Sequence, residues 1–342
     1  MSHKNLNARI KIPKLLIDKL KNKKINSIYK RFEQTLNINE NFAVAVSGGP
    51  DSLALAFLAK IYSIKKNLSA KFLIVDHKLR NESTKEAKFV LKVLKKNSIK
   101  SEILTWTGKK TPKNIQSQAR EKRYDLLIKK CKKFGIKNIL LGHHQDDLFE
   151  NFFIRFLRGS GLKGLVSFDY KSKIEDYNIL RPLIYQKKDD LIYLSKKVFN
   201  FYVKDPTNLD EKFQRIRVRK LIEELKKNGL DKKKFLKTIQ NLKLSNNIVD
   251  FYVKENLKKN TFFNEKKNHL IINNLFFNHP YEIIFRAFSE SLKLVSKRYY
   301  LVRGKKLDRI INDIKNNRLN RVTLGGCFVE KVNETIIISK EH

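Results

Sequence analysis

Cysteine is nearly absent from this chain, with Cys131 and Cys327 the only two in 342 residues and far apart in sequence. That spacing excludes a disulfide framework and any CxxC metal or redox motif, and it points to a reducing compartment. Acidic residues are scarce as well, 34 against 74 lysines and arginines, giving a formal net charge of +40 spread along the chain. A polyanionic partner is the leading inference. A lysine- and asparagine-rich composition inherited from an AT-rich genome is the plainer alternative, but it does not explain why acidic residues stay so few. Long apolar runs are missing too. No stretch reaches the roughly 18 residues needed to span a bilayer, and "MSHKNLNARIKIPKLLIDKL" lacks the apolar core of a signal peptide. A soluble cytoplasmic protein is expected, although that basic amphipathic start would also suit an organelle transit peptide. Neither an internal repeat nor a low-complexity linker is present.

What is there suffices for several cores. The length exceeds that of a usual single core, so two or three domains are expected, and 41% of residues are hydrophobic. Strand-like runs recur at "FAVAV" (42 to 46), "KFLIVD" (71 to 76), "SEILTW" (101 to 106) and "IKNILLG" (136 to 142). Helical spacing separates them at about 52 to 66, 82 to 97 and 114 to 133. Strand and helix alternating at roughly thirty-residue intervals predicts an α/β domain with a parallel sheet covered on both faces. Beyond about residue 185 the pattern turns to charged helices, "KKDDLIYLSKKVFNFYV", "FQRIRVRKLIEELKK" and "FLKTIQNLKLSNNIVDFYVKENLKK", with "HLIINNL" the one strand candidate before the end. The final "RVTLGGCFVEKVNETIIISKE" predicts three short strands in a small sheet. The expected boundaries are a helical extension at 1–36, a catalytic domain at 37–212, a helical domain at 213–295 and a small α+β region at 296–342.

The stretch "VAVSGGPDS" (44 to 52) carries the chemistry. A glycine-rich turn between a strand and a helix presents backbone N–H groups at the positive end of the helix dipole, which is an anion site and most often a phosphate site. Gly48 and Gly49 permit close approach, Ser47 and Ser52 add hydroxyls, and Pro50 suits the first helical position. Asp51 places a carboxylate where a phosphate-bound Mg²⁺ could be held. It is neither a Walker A loop, lacking GxxxxGK[ST] and its lysine, nor a GxSxG elbow.

SGGxDS resembles the signature of the PP-loop ATP pyrophosphatases. "VDHKLR" (75 to 80), "QAREKRY" (118 to 124), "LGHHQDDLFENFFIRFLRGSGLKGL" (141 to 165), "RPLI" (181 to 184) and "DPTN" (205 to 208) follow in order. Together they resemble the tRNA(Ile)-lysidine synthetase family over about residues 40 to 220, with "TLGGC" a weaker likeness near the end. The resemblance implies ligation of free L-lysine to C2 of the wobble cytidine of an isoleucine tRNA with a CAU anticodon. ATP first adenylates the base, and AMP and pyrophosphate are released. It implies that Ser47, Gly48, Gly49, Pro50, Asp51 and Ser52 bind ATP and Mg²⁺, the ion held through Asp51, with Asp76 and His77 near the nucleotide. Asp146, Asp147 and Glu150 would take the lysine, with Asp51, Asp147, Glu150 and Arg120 as the catalytic set. Arg155, Arg158, Arg215, Arg217 and Arg219 would contact tRNA phosphate. Freeing the lysine amine of its proton at pH 7 costs about 4.6 kcal/mol, which is why carboxylates are sought nearby.

Plainer readings stand beside these. Asp146 or Asp147 could simply cap a helix, and His143, His144 and the aspartates could be zinc ligands. Phe251, Tyr252, Tyr299 and Tyr300 suit base stacking, though core positions are the duller expectation. Leu148, Asn151 and Ile216 depart from the family's usual glutamine, threonine and asparagine. A tRNA thiolase is the nearest rival, but it would need paired cysteines. NAD synthetase-like enzymes keep SGGxDS without needing such charge, and a non-catalytic RNA-binding protein is the rival from another class.

Overall fold

A computed structural model describes residues 14–79, 82–108, 115–203, 214–266, 268–297 and 304–341. Arg80, "DPTN" at 205–208, Tyr299 and Tyr300 lie outside the described residues. The chain divides into two compact units, Met1–Leu230 and Asp231–His342.

The first unit opens with α1 (Lys14–Lys19) and α2 (Lys23–Leu36). In α2 the apolar residues Ile25, Ile28, Tyr29, Phe32 and Leu36 fall on one stripe and are buried, and the Asn22 side chain caps the helix by accepting from the N–H groups of Lys24 and Ile25. Then come β1 (Phe42–Val46), α3 (Pro50–Lys65), β2 (Ala70–Asp76), α4 (Ser83–Lys96), β3 (Ser101–Thr105), α5 (Ile115–Lys133), β4 (Asn138–Leu140) and α6 (Gln145–Phe156). These match the expected strands and helices closely. A short helix α7 (Leu162–Leu165), the strands β5 (Lys171–Ile174) and β6 (Tyr177–Leu180), α8 (Lys188–Phe199) and α9 (Gln214–Lys227) complete the unit.

The six strands are ordered β3-β2-β1-β4-β6-β5, parallel except for β5, which runs antiparallel to β6. Phe42, Ala43, Val44 and Val46 of β1 are buried, as a strand covered on both faces requires. Strand order reverses at β1: the chain moves from β1 outward through β2 and β3, then returns to place β4 on the other side. The crevice at the carboxyl ends of β1 and β4 is therefore the topological switch point, where open parallel sheets bind ligands.

Two expectations change here. The charged pattern beyond about residue 185 suggests that a helical domain starts there, yet α8 packs along α3, and Leu191, Leu194, Val198 and Phe199 join the same core as Leu53, Leu55 and Leu58. The boundary expected at 212/213 falls instead after Leu230, because α9 packs against α6. The β5–β6 hairpin is an addition to the elements expected from sequence.

The second unit has α10 (Lys232–Asn260), β7 (Thr261–Asn264), β8 (His269–Ile272), a 3-10 turn (Asn274–Phe277), α11 (Tyr281–Ser296), α12 (Gly304–Lys315), β9 (Arg321–Leu324), β10 (Cys327–Val332) and β11 (Thr335–Lys340). The three C-terminal strands are those expected. "TFFN" as β7 is a further addition. Its antiparallel sheet runs β7-β8-β11-β10-β9, so the boundary expected at 295/296 cuts between strands that share one sheet and one core. Buried Arg286 of α11 ties itself to α10 by donating to Asn246 and Asp250 (2.7 and 2.9 Å). Phe251 and Tyr252 on α10 are 59% and 49% exposed, contrary to the core expectation. Among the described residues, no helix is long and apolar enough to cross a membrane.

Candidate active site

Everything at the crevice begins with the bend that ends β1. Gly48 has φ +85°, and a Cβ added there would meet Val90 Cγ2 at 2.5 Å, so the position requires glycine twice over. Gly48→Ala is expected to cost about 1–3 kcal/mol of stability, read as a lower denaturation midpoint. Ser52 Oγ accepts from the N–H and hydroxyl of Ser47 (3.1 Å each) and donates to the Gly49 carbonyl (3.0 Å). Pro50 occupies the first turn of α3, and its carbonyl accepts from Ser195 Oγ of α8 at 2.5 Å. Ser52 and Pro50 thus hold the bend in shape. No side chain caps α3, and an uncapped helix start of this kind suits an anion.

Because β1 and β4 are neighbours, the turn after β4 meets this bend. Gly142 permits it: a Cβ there would lie 3.1 Å from backbone atoms of Asp51 and Ser52. Asp51 Oδ2 lies 3.6 Å from His144 Nε2 and 3.7 Å from Lys188 Nζ. Its other oxygen, Oδ1, is buried without a hydrogen-bond partner. Burial pushes the Asp51 carboxyl above its ordinary range, with His144 and Lys188 pulling it back in part.

His144 caps α6. Its Nδ1 accepts from the Asp146 N–H (3.2 Å), and its own backbone N–H donates to Asp147 Oδ2 (2.9 Å), closing a capping box. The helix-capping reading therefore holds for Asp147, which also lies 3.6 Å from His144 Nε2. Burial opposes ionisation of Asp147, but His144, His143 and the capping N–H outweigh it and hold the group below the usual carboxylate range. Asp146 sits half-buried in the same first turn. Glu150, one turn on, is 3% exposed and accepts from Arg219 Nε at 2.5 Å and Nη2 at 3.3 Å. Burial pushes Glu150 up against the pull of Arg219. Burial would lower Arg219, but its pairing with Glu150 outweighs that and raises the guanidinium.

Arg219, expected on tRNA phosphate, is thus turned inward to Glu150. Arg215, on the same helix, is exposed and close enough to act on His143, Asp147 and Glu150. Arg120 is exposed and stands over the Tyr124 ring (5.4 Å). Burial drives the His143 imidazole well below its ordinary range; Asp147 resists, while Arg181, Arg120 and Arg215 reinforce the shift. Buried Arg181, of "RPLI", donates to the Asp169 carbonyl (2.8 Å) and Ser172 Oγ (3.0 Å) and lies over Phe168, whose ring meets His143 edge-on. Arg158 reaches Gln214 (2.6 Å), and Arg155 donates to Asn151 (3.0 Å). Arg217 is exposed.

At the end of β2, Asp76 has a structural role. Its carboxylate accepts from the Lys78 N–H and from the hydroxyls of Ser83 and Thr84 (2.9, 2.9 and 2.7 Å), so it anchors the start of α4. Burial opposes its ionisation, but those donors hold it below the ordinary range. His77 packs edge-on to Trp106. Of the departures, Leu148 and Ile216 are buried apolar residues and Asn151 accepts from Arg155.

Sequence reasoning misses Lys188 and Arg181. Arg181 stands in "RPLI" with no role that the motif assigns it, and a basic residue of a charged helix gives no local signal of where the fold will carry it. No three His, Cys, Asp or Glu side chains gather as a metal cage among the described residues. The unpartnered Asp51 Oδ1 suits a different arrangement, in which Mg²⁺ takes one carboxylate and completes its shell with phosphate oxygens and water.

Residues 18–225 match the family model described as "PP-loop domain". The chain is 35% identical to the tRNA(Ile)-lysidine synthase of Wolbachia pipientis wMel over 309 residues, covering 89% of this chain and 71% of that protein. It is 34% identical to the enzyme of the same name from Wolbachia sp. subsp. Brugia malayi over 313 residues, with the same two coverages. Among solved structures, the U34-tRNA thiolase NcsA from Methanococcus maripaludis with its 4Fe-4S cluster shares the fold at TM-score 0.54 and 19% identity, covering 64% of this chain and 78% of that one.

Proposed function

The chain belongs to the tRNA(Ile)-lysidine synthase family of PP-loop, ATP-using ligases, and from that premise we propose that it joins free L-lysine to C2 of the wobble cytidine of an isoleucine tRNA with a CAU anticodon. One observation carries the reading. The phosphate-type bend at the end of β1 and the carboxylate-bearing first turns of α6 meet at Asp51, His144 and Asp147, which supports a nucleotide site and an amine site in one crevice.

In the first step the cytosine O2 attacks the α-phosphorus of ATP, the bond to the bridging oxygen breaks, and pyrophosphate leaves. The N–H groups at the start of α3 and the Ser47–Ser52 bend hold the phosphates in place, where fixed donors stabilise charge that develops in the transition state. Mg²⁺ bound through Asp51 would supply positive charge to the departing pyrophosphate oxygens. In the second step the lysine Nε attacks C2, the C2–O bond breaks, and AMP departs with the former cytosine oxygen. Asp146, Asp147 and Glu150 draw the lysine ammonium to that carbon. Glu150, pushed up by burial, is a better proton acceptor than Asp147, which is held low.

Purified protein incubated with ATP, labelled lysine and the CAU-anticodon transcript tests this, because only this reading gives label in RNA that depends on ATP and lysine together. A cytidine thiolase is the alternative. Cys131 and Cys327 are both buried, and burial pushes the Cys131 thiol up to about 11, which disfavours it as a sulfur carrier.

The tRNA backbone would meet the exposed arginines of α9. Arg217→Ala is expected to lower the slope of log K against log salt by about one unit if this side chain neutralises one phosphate, equally for any tRNA sequence. A binding series across salt concentrations measures it, and an unchanged slope moves the RNA surface away from α9.

A further inference from the structure

The bend at the end of β1 lacks the lysine that phosphate-binding loops often carry within their own sequence, and the structure brings one from far along the chain. We propose that Lys188, at the start of α8, is the cation that contacts the β- and γ-phosphates of ATP and then the departing pyrophosphate; this rests on the reading that the bend binds ATP.

Position favours this residue first. Lys188 Nζ lies 3.7 Å from Asp51 Oδ2, at the side of the bend where the uncapped N–H groups of α3 emerge. Its backbone is fixed from both sides. Ser195 of α8 donates to the Pro50 carbonyl, tying α8 to the bend itself. Just before the helix, the Gln186 carbonyl accepts from the Gln145 N–H (3.2 Å), tying the same segment to the start of α6, while the buried Gln186 side chain accepts from Arg31 (3.2 Å). The start of α8 is thereby pinned between the two turns that build the crevice.

The neighbouring charges favour it as well. Of the two acids in this helix turn, Asp189 and Asp190, the second is taken by Arg31 (2.8 Å) and Lys24 (3.4 Å). Lys188 keeps Asp51 as an acidic neighbour, and its side chain remains 40% exposed. A pair that open to water is worth little as a staple for the fold. A long, flexible ammonium at the mouth of an anion site instead suits a highly charged phosphate tail, which it can follow as pyrophosphate leaves.

Lys188→Met and Lys188→Arg, measured for binding of ATP, AMP and inorganic pyrophosphate, test this. Lys188→Met is expected to weaken ATP and pyrophosphate at least about 10-fold while leaving AMP within about twofold, which also shows that the variant is folded. Lys188→Arg should restore ATP to within about threefold, because the charge is kept. Equal losses for ATP and AMP, or no loss for either, would overturn the assignment while leaving the ATP reading intact. Wild-type protein that binds neither ATP nor pyrophosphate would overturn both.

Discussion

Asp51→Asn is expected to lower ATP-dependent lysidine formation by about 10³-fold while leaving tRNA affinity within about twofold. The substitution keeps the shape of the side chain and removes only its charge, so a loss of that size reports chemistry and not packing. Asp51 is held in an unfavourable state for a structural carboxylate: one oxygen is buried and unpartnered, and the group as a whole is pushed toward neutrality by burial. A residue serving only stability would be better replaced by an isosteric amide, which requires no charge to be buried. The variant should accordingly be as stable as the wild type or slightly more so, and thermal melts beside the activity assay check both halves. Normal AMP release by the variant would remove Asp51 from the reaction.

The second large effect concerns the amine. Glu150→Gln is expected to reduce kcat/KM for lysine by about 100-fold, equivalent to about 2.7 kcal/mol, with the ATP dependence little changed. The buried carboxylate is already matched to a cation, since Arg219 reaches it at 2.5 Å. Arg219 itself is partly exposed, so water can solvate it in part when its partner's charge is removed, and the cost to folding should be about 1–3 kcal/mol. The pH dependence separates this role from packing. Burial raises Glu150, so its neutral form appears above the ordinary carboxylate value of ~4.3. As pH falls through that raised value the carboxyl stops drawing the ammonium, and kcat/KM for lysine should drop. In Glu150→Gln this acid limb should be missing. Steady-state kinetics with lysine varied, taken from below the ordinary carboxylate range up to neutral pH, decides it, and an unaltered lysine dependence would place the amine elsewhere.

Much of this site is legible in the sequence because its signals are local. "FAVAV" ending in "SGGPDS" announces a strand, a tight bend and a helix within a dozen residues, and "GHHQDDLFE" announces a cap followed by carboxylates one helical turn apart. The partners of those groups are not legible. Arg219 reads as an RNA contact because exposed and inward-turned arginines on a basic helix look alike in sequence; only the packing of α9 on α6 turns it to Glu150. Nor does the sequence show that Ser83 and Thr84, further along the chain, donate to the oxygens of Asp76.

The sequence by itself determined the α/β class, the bend, the acidic helix start and the excess of positive charge, because periodicity, turn chemistry and composition act between near neighbours. Tertiary structure alone decided that β1 and β4 lie side by side, so that Asp51 meets His144, that α8 belongs to the first unit and delivers Lys188 to the crevice, and that the C-terminal strands share a sheet with β7 and β8. Those outcomes depend on which apolar faces cover one another across long stretches of chain, and hydrophobic burial is non-directional, so no short run of residues encodes them.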